Sequence, residues 1–187
     1  MIPREPGVIV DDRRKILIIG TLGAGKTTLA QDLVERTGYL YNSIDVCRVE
    51  YSDGTFDGED AAWGHFLDAC SDPIPAILEF SGLGPHVCEV RDALLSSGIP
   101  VSVIWLDLPL DKCIERASLR DKFVPAPFIW APIEYSVPAI YSGIETAWDS
   151  VWSRELLFQT TRLKFPGNVS CPDVCSAVIS VLFPCYC

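Results

Sequence analysis

Lys15-Ile-Leu-Ile-Ile-Gly-Thr-Leu-Gly-Ala-Gly-Lys-Thr-Thr28 is the most informative segment of the chain. It begins with an apolar run typical of a β-strand, continues through a glycine-rich turn, and leads into apolar residues at helical spacing. The turn matches the pattern G-x-x-x-x-G-K-[ST], and a strand before it with a helix after it is the context that this phosphate-binding loop (P-loop) requires. The segment therefore predicts a site for the phosphates of a nucleoside triphosphate.

The residues of this loop suit an anionic ligand. Glycines lack a Cβ atom, so the chain can adopt positive φ angles and approach a ligand closely. Backbone N–H groups of the turn, together with the positive end of the following helix, form an anion site. Lys26 adds a charge for the β- and γ-phosphates, and the Thr27 hydroxyl can bind Mg²⁺. The predicted nucleotide-binding residues are Gly20, Leu22, Gly23, Ala24, Gly25, Lys26, Thr27 and Thr28. The alternative is a glycine-rich turn that binds nothing, and the flanking patterns favour the phosphate site over it.

The composition is that of a globular protein. The chain has 187 residues, which predicts a single domain over residues 1–187 with a sizeable core. Apolar residues make up 49% of it and charged residues 21%, which excludes a disordered chain. The net charge of −10 argues against nucleic acid as a partner, because binding to a phosphate backbone requires excess Lys and Arg.

Two features of the chain predict a cytoplasmic protein with no membrane partner. No apolar run reaches the roughly 20 residues needed to span a bilayer. Residues 1–7 carry charges and two prolines where a signal peptide requires an apolar core. A protein with a P-loop is expected to work in a compartment that contains ATP and keeps thiols reduced. Disulfides are therefore not expected.

Eight cysteines require an interpretation. Four of them fall within predicted elements and are interpreted as small, buried apolar residues, namely Cys47, Cys70, Cys88 and Cys113. The other four are near the end of the chain and could bind a metal, namely Cys171, Cys175, Cys185 and Cys187. Their spacing is not the usual C-x₂-C pair, and Cys175 suits the apolar face of a helix. We therefore favour the interpretation without a metal.

Strand and helix patterns alternate along the chain. The predicted strands are residues 15–19, 39–44, 76–80, 101–106 and 156–163. The predicted helices include residues 59–69, 110–119, 136–152 and 172–183, and a proline- and aromatic-rich loop covers residues 121–134. Alternating strands and helices form a parallel α/β sheet with right-handed crossovers. The predicted fold class is therefore α/β.

A carboxylate and an arginine follow the second predicted strand, in Asn42-Ser-Ile-Asp45-x-x-Arg48. Ligands of a parallel sheet bind at the carboxyl ends of its strands, so Asp45 should face Lys26. There it could orient a substrate hydroxyl and accept its proton as the oxygen attacks the γ-phosphorus. Arg48, one helical turn later, could hold an anionic substrate group. The alternative for Asp45 is the N-cap of the next helix.

Arg116 and Arg120 lie one turn apart on the helix predicted after the fourth strand. Cationic side chains aimed at the γ-phosphate stabilise the charge on its oxygens during phosphoryl transfer. Two such arginines can instead form a solvated pair bridged to Asp111 or Glu115. Because a P-loop is present in the same chain, we favour the catalytic interpretation.

The order of these features resembles one branch of the P-loop kinases, the nucleoside-monophosphate-kinase-like branch. The features are the P-loop, a strand followed by Asp-x-x-Arg, an apolar fourth strand, and Asp107-Leu-Pro-Leu-Asp-Lys-Cys-Ile-Glu-Arg-Ala-Ser-Leu-Arg120. This branch includes adenylate, shikimate and gluconate kinases, polynucleotide 5′-kinases, chloramphenicol phosphotransferase and zeta-type toxins. The P-loop is the most specific of these motifs, and Asp-x-x-Arg is the least specific.

The resemblance implies a three-layer fold with a five-stranded parallel sheet in the order 2-3-1-4-5 and helices on both faces. It implies ATP and Mg²⁺ as cofactors, a substrate-side flap at about residues 49–71, and a lid over ATP at about residues 120–135. Arg116 would lie against the adenine or the phosphates, and Arg120 would be a lid arginine. The catalytic residues would then be Lys26, Asp45, Arg116 and Arg120.

The sequence departs from known members of this branch after the third strand. Glu79-Phe-Ser-Gly-Leu-Gly84 is neither the Asp-Gly-Phe-Pro-Arg of adenylate kinases nor the glycine triplet of shikimate kinases. Glu79 either holds the water shell of Mg²⁺ or is a buried acid paired with a neighbour. Gly82 could leave room for a substrate, and Trp63 is a candidate substrate contact, although aromatic residues at helical spacing are more often core. His65 and His86 have no evident partner in the sequence, so a hydrolytic dyad is not predicted.

Two classes of function agree with these observations. The first is an ATP- and Mg²⁺-dependent kinase that acts on a hydroxyl or phosphate of a small molecule or nucleotide, as a monomer or homodimer. The second is a regulatory P-loop protein whose bound nucleotide changes a partner-binding surface. A toxin-like or polynucleotide kinase is a third possibility, which the acidic net charge disfavours.

Overall fold

Five parallel strands form one sheet in the computed structural model, which describes residues 13–119, 124–127, 131–166 and 171–183. The strands are β1 (Lys15–Ile19), β2 (Leu40–Ser43), β3 (Ala76–Glu79), β4 (Val101–Asp107) and β5 (Phe158–Lys164). Their order is β2-β3-β1-β4-β5, and all neighbouring pairs are parallel. The predicted fold class and the predicted strand order, 2-3-1-4-5, are both confirmed.

Helices connect the strands and cover both faces of the sheet. They are α1 (Lys26–Thr37), α2 (Ile44–Tyr51), α3 (Phe56–Ser71), α4 (Val87–Ser96), α5 (Leu110–Ser118), α6 (Ile133–Ala147) and α7 (Cys171–Leu182). Helix α6 continues directly into a π-helical turn at Trp148–Trp152. A hydrophobic core lies on each face of the sheet. Because successive residues of a strand point to opposite faces, β1 contributes side chains to both cores. Leu17 and Ile19 pack toward α3 and α4, whereas Ile16 and Ile18 pack toward α1 and α7.

The central strands are buried along their whole length, which explains their continuous apolar sequences. Every residue of β1 and of β4 is buried. The buried set includes Lys15, whose ammonium group donates to the carbonyl oxygens of Ala69 at 2.7 Å and Ile74 at 3.1 Å. These contacts fix the amino end of β1, so the P-loop at the carboxyl end starts from a rigid strand.

Two predicted boundaries differ from the structure for identifiable reasons. Strand β5 begins at Phe158 instead of residue 156, because Leu156 and Leu157 lie in an exposed turn despite their apolar side chains. Helix α6 begins at Ile133, inside the predicted loop, with Pro132 immediately before it. Proline is favoured at the start of a helix because its fixed φ angle suits the helix and its missing N–H needs no partner there.

The described cysteines only partly match their predicted environments. Cys47, Cys70 and Cys113 are buried as predicted, whereas Cys88 is exposed, so its predicted burial is wrong. Cys175 is buried on α7, while Cys185, Cys187 and the side chain of Cys171 lie outside the described residues. Over the part of the chain that the structure describes, His, Cys, Asp and Glu form no group suited to a metal ion. Over the same part, no helix combines the length and apolarity that crossing a membrane requires.

We expect the buried thiols to make the fold sensitive to alkaline pH. Burial raises the pKa of the Cys70 thiol from 9.0 to about 12. Above pH 9.0 the unfolded chain ionises this thiol while the folded chain keeps it protonated, so the stability it contributes is lost as the pH rises toward about 12. Across that range each such thiol should lower the free energy of unfolding by about 1.4 kcal/mol per pH unit. Urea denaturation at several alkaline pH values measures this slope.

The Cys70→Ala variant should show a shallower alkaline slope than the unmodified protein. Cys88→Ala is the matched control, because it also removes a thiol but at an exposed position. It should leave the slope unchanged. Equal slopes for Cys70→Ala and the unmodified protein would show that the thiol ionises as readily in the folded chain as in the unfolded one.

Candidate active site

A cavity of about 400 Å³ opens at the carboxyl ends of the strands. Its wall combines the P-loop, the start of α2, α3 and the segment between β3 and α4. Lys26 and Asp45 both line it, and Glu79 lies at the end of the strand between them. The cavity therefore brings together the predicted phosphate-binding lysine and the predicted base.

The P-loop adopts a backbone conformation that requires glycine at two positions. Gly23 and Gly25 have φ angles of 81° and 89°, in the left-handed region. A Cβ atom on Gly23 would lie 2.3 Å from the Cys113 carbonyl oxygen, so this glycine lets the loop pack against α5. A Cβ atom on Gly25 would meet no atom within 4 Å. The loop is thus closed on the side of Gly23 and open on the side of Gly25, as a phosphate cradle requires.

The open side of the loop coincides with the start of α1. Gly25 is the N-cap residue, and no side chain caps the helix there. The first N–H groups of a helix have no partner within the helix, and they attract anions. Lys26 is the first residue of α1, is buried, and its ammonium group donates to the Thr21 carbonyl oxygen at 3.3 Å.

Substitution by alanine at Gly23 and at Gly25 should have different effects on stability and on the binding of MgATP. Gly23→Ala should lower the free energy of unfolding by about 2–5 kcal/mol, because strain at positive φ adds to a clash with backbone. Gly25→Ala should cost only the strain, about 1–2 kcal/mol, but should abolish stabilisation by MgATP because the methyl group enters the open side. Urea denaturation and melting temperature with and without MgATP measure the two effects. An unchanged response of Gly25→Ala to MgATP would show that phosphate does not occupy this space.

A hydrogen-bonded group joins the P-loop to β3. The Thr27 hydroxyl donates to Glu79 Oε1 at 2.9 Å, and the Tyr41 hydroxyl donates to Glu79 Oε2 at 2.7 Å. Burial and the Glu79 charge raise the pKa of Tyr41, so this phenol stays a donor. A hydroxyl and a carboxylate in contact are oxygen donors of the kind that Mg²⁺ prefers. Thr27 and Glu79, the two predicted metal residues, therefore fit such an ion, and both predicted alternatives for Glu79 are compatible with this contact.

Asp45 lies in the first turn of α2 and faces the cavity. The N-cap of this helix is Ser43, whose hydroxyl oxygen accepts from the Val46 N–H at 3.1 Å. The alternative interpretation of Asp45 as the N-cap is therefore wrong. Its side chain is 35% exposed, so the carboxylate can be reached from the cavity. A carboxylate held on a helix beside the predicted phosphate site can act as a general base.

Arg48 is held by Glu59 in a buried ion pair. Arg48 Nε donates to Glu59 Oε2 at 2.9 Å, and Arg48 Nη2 donates to Glu59 Oε1. Glu59 Oε1 also accepts from Trp63 Nε1 at 2.9 Å. Arg48 Nη1 lies 3.6 Å from Asp45 Oδ1. The guanidinium group therefore connects α2 to α3 and lies beside the predicted base.

Other residues of the site were not evident from the sequence. His86 lines the cavity, stacks on Trp63 at 4.3 Å, and its Nδ1 lies 2.7 Å from Glu89 Oε2. His65 stacks on Tyr51 at 3.7 Å, so both histidines have neighbours that the sequence does not reveal. The spacing of His86 and Glu89, three residues apart at the start of a helix, was the available signal for their contact.

Three predicted residues outside the P-loop are not placed in the cavity by the described structure. Arg116 is exposed on α5 and is not part of the described cavity wall. Arg120 lies outside the described residues, as does much of the predicted lid. Gly82 is buried, and a Cβ atom there would lie 2.7 Å from Ile19 Cβ. Gly82 therefore makes room for the side chain of Ile19 on β1. The space beside this glycine is filled by protein and not left for a substrate.

Comparison with known proteins agrees with the fold. Residues 16–123 match the family described as AAA domain. Shikimate kinase from Acinetobacter baumannii in complex with shikimate is 16% identical, with a TM-score of 0.65 and coverage of 92% of this chain and 93% of that chain. An unliganded sugar kinase from Janibacter sp. HTCC2649 is 17% identical, with a TM-score of 0.58 and coverage of 91% and 94%. A gluconokinase from Sinorhizobium meliloti 1021 is 16% identical, with a TM-score of 0.57 and coverage of 91% of each chain.

At these identities the similarity to solved structures establishes the fold. The resemblance to the P-loop kinases that the sequence predicts is confirmed at that level. No curated protein sequence matches the chain.

Proposed function

The chain belongs to the AAA-domain family, and on that premise we propose that it is an ATP-dependent phosphotransferase that acts on a hydroxyl group of a small molecule. The observation that carries the proposal is the shared cavity of Lys26 and Asp45. A phosphate-binding lysine and an accessible carboxylate in one cavity are the two groups that transfer to a hydroxyl requires. The kinase folds of the structural neighbours support the same class of reaction.

Each residue has a distinct role in the proposed reaction. Asp45 orients the acceptor hydroxyl and accepts its proton as the acceptor oxygen forms a bond to the γ-phosphorus. The bond between that phosphorus and the β–γ bridging oxygen breaks, and ADP leaves. Lys26 and the N–H groups at the start of α1 hold the phosphate oxygens throughout.

Thr27 and Glu79 are the residues that would hold Mg²⁺. Bound Mg²⁺ neutralises charge on the phosphate oxygens. Tyr41 keeps Glu79 oriented by donating to the oxygen that Thr27 does not use. Arg48 Nη1 lies 3.6 Å from Asp45 Oδ1, so its guanidinium group is beside the carboxylate that accepts the proton.

Acceptor-dependent formation of ADP tests the proposal. The protein is incubated with MgATP and a panel of hydroxyl compounds that includes sugars, amino alcohols, nucleosides and an oligonucleotide with a 5′-hydroxyl end. We expect at least one small acceptor to accelerate ADP formation and to yield a phosphorylated product. Binding of MgATP without acceptor-dependent turnover would favour the regulatory P-loop alternative, and turnover with the oligonucleotide alone would favour a polynucleotide kinase.

A further inference from the structure

We propose that the phosphoryl acceptor is an uncharged or cationic hydroxyl compound and carries no carboxylate or phosphate group. The proposal rests on the proposed function, because it concerns the acceptor half of the same cavity. It narrows the acceptors that the sequence left open, which included nucleotides and other anionic metabolites. Two features of the cavity support it, namely the pairing of Arg48 with Glu59 and the charges of the surrounding wall.

The Nε and Nη2 groups of Arg48 are already hydrogen-bonded to a carboxylate of the protein. Arg48 Nε and Nη2 both donate to the carboxylate of Glu59, which is the bidentate arrangement that an anionic acceptor would need. The remaining nitrogen, Nη1, lies 3.6 Å from the Asp45 carboxylate. The carboxylates of Glu59 and Asp45 therefore both lie against Arg48, the residue that the sequence predicts as the ligand of an anionic substrate group.

Hydrogen bonds hold the Glu59 side chain in place, so an acceptor carboxylate does not readily displace it from Arg48. Its side chain is 11% exposed and accepts a further hydrogen bond from Trp63 Nε1. An acceptor carboxylate that replaced Glu59 would leave this acid buried and without its arginine, which is strongly unfavourable. The ion pair therefore excludes an acidic acceptor group and does not recruit one.

The described wall of the cavity is also acidic. It contains four carboxylates, Asp45, Glu59, Asp60 and Glu79, against the two cations Lys26 and Arg48. Lys26 and Glu79 belong to the proposed ATP- and Mg²⁺-binding side, so the described acceptor side has three acids around one arginine. Like charges repel an anionic acceptor, whereas an ammonium group is attracted.

Aromatic side chains supply the other part of this wall. Phe56 lines the cavity and is 74% exposed, and Phe80 and Trp63 lie deeper. Such surfaces contact the apolar face of a sugar or a base without a charge on the ligand. The chemistry of the wall therefore suits a polyhydroxylated or amino-bearing compound with one apolar face.

Matched pairs of ligands test the proposal directly. Binding is measured by calorimetry in the presence of Mg²⁺ and a non-hydrolysable ATP analogue, with glucose and glucosamine against gluconate, and adenosine against its 5′-monophosphate. We expect the uncharged or cationic member of a pair to bind at least about tenfold more tightly than the anionic member. Equal or tighter binding of an anionic member, or no binding by any uncharged or cationic compound, overturns the proposal.

The Glu59→Gln variant tests the cause of the selectivity. It releases part of the Arg48 guanidinium, so the preference for the uncharged member should fall by about tenfold or reverse. Asp60→Asn removes an equal charge from the same wall without touching the ion pair, and it should change the preference by less than about threefold. A purely structural role of Glu59 would weaken both members equally, and an unchanged ratio would therefore overturn the proposal.

A second variant covers the case in which Glu59→Gln does not fold. Arg48→Met combined with Glu59→Leu replaces the buried pair as a unit, which proteins often tolerate. It should retain the preference for uncharged acceptors, because no released cation remains, and a switch to anionic acceptors would contradict the proposal. Failure of the proposed function is a separate observation, namely that MgATP itself neither binds nor yields acceptor-dependent ADP.

Discussion

Asp45→Asn should lower kcat by about 10²–10⁴-fold, the usual contribution of a positioned general base. The amide keeps the shape of the side chain but does not accept the proton of the acceptor hydroxyl. Asp45 lies in the first turn of α2, whose N-cap is Ser43, so the substitution leaves the cap intact. Steady-state ADP formation with a saturating acceptor measures the effect.

Binding of MgATP should be preserved in this variant, because Asp45 acts on the acceptor and not on the phosphates. The rise in melting temperature with MgATP should therefore match that of the unmodified protein. Glu50→Gln removes an exposed carboxylate from the same helix and should leave kcat unchanged. If kcat of Asp45→Asn equals that of the unmodified protein, another group accepts the proton and the proposed mechanism is wrong.

Local sequence patterns were sufficient for most of the fold. The P-loop predicted both the strand before it and the helix after it, and β1 begins and ends at the predicted residues. Continuous apolar runs identified β1 and β4 as buried strands because both faces of a parallel sheet are covered. The strand order came from the resemblance to P-loop kinases, since the order of strands depends on contacts that no local pattern specifies.

The pairing of side chains across elements was less predictable. Arg48 and Glu59 are separated by the turn between α2 and α3, so their contact depends on how the two helices pack. The sequence pattern therefore predicts Arg48 as a substrate ligand, whereas the structure shows its guanidinium group paired with Glu59. Burial of a charged group beside another element is a tertiary property that sequence spacing does not reveal.

The contact between Tyr41 and Glu79 can be predicted only when the order and the register of the strands are known. In the parallel pair of β2 and β3, Ser43 is the partner of Glu79, and Tyr41 is two residues before Ser43. Side chains two residues apart on a strand share a face, so Tyr41 can reach Glu79 diagonally. The hydrogen bond between them follows from the register, which the sequence alone did not provide.

Lys26→Met should lower kcat by about 10²–10³-fold and should also weaken the binding of MgATP, because it removes a fixed cation from the phosphate site. Methionine keeps much of the length of the buried side chain, so the loss is that of the charge and of the contact with the Thr21 carbonyl oxygen. Both effects should appear in one preparation, as slower ADP formation and as a smaller rise in melting temperature with MgATP.

Lys112→Met is the matched control for the loss of a lysine charge. Lys112 is on α5, is paired with Glu115 at 2.7 Å, and is not part of the described cavity wall. Exposed ion pairs contribute little to stability, so this variant should keep both kcat and the response to MgATP. The contrast with Asp45→Asn is decisive for the site as a whole. The base variant should lose turnover and keep nucleotide binding, whereas the lysine variant should lose both. If Lys26→Met bound MgATP and turned it over as the Lys112→Met control does, the loop at residues 20–28 would not be the phosphate site.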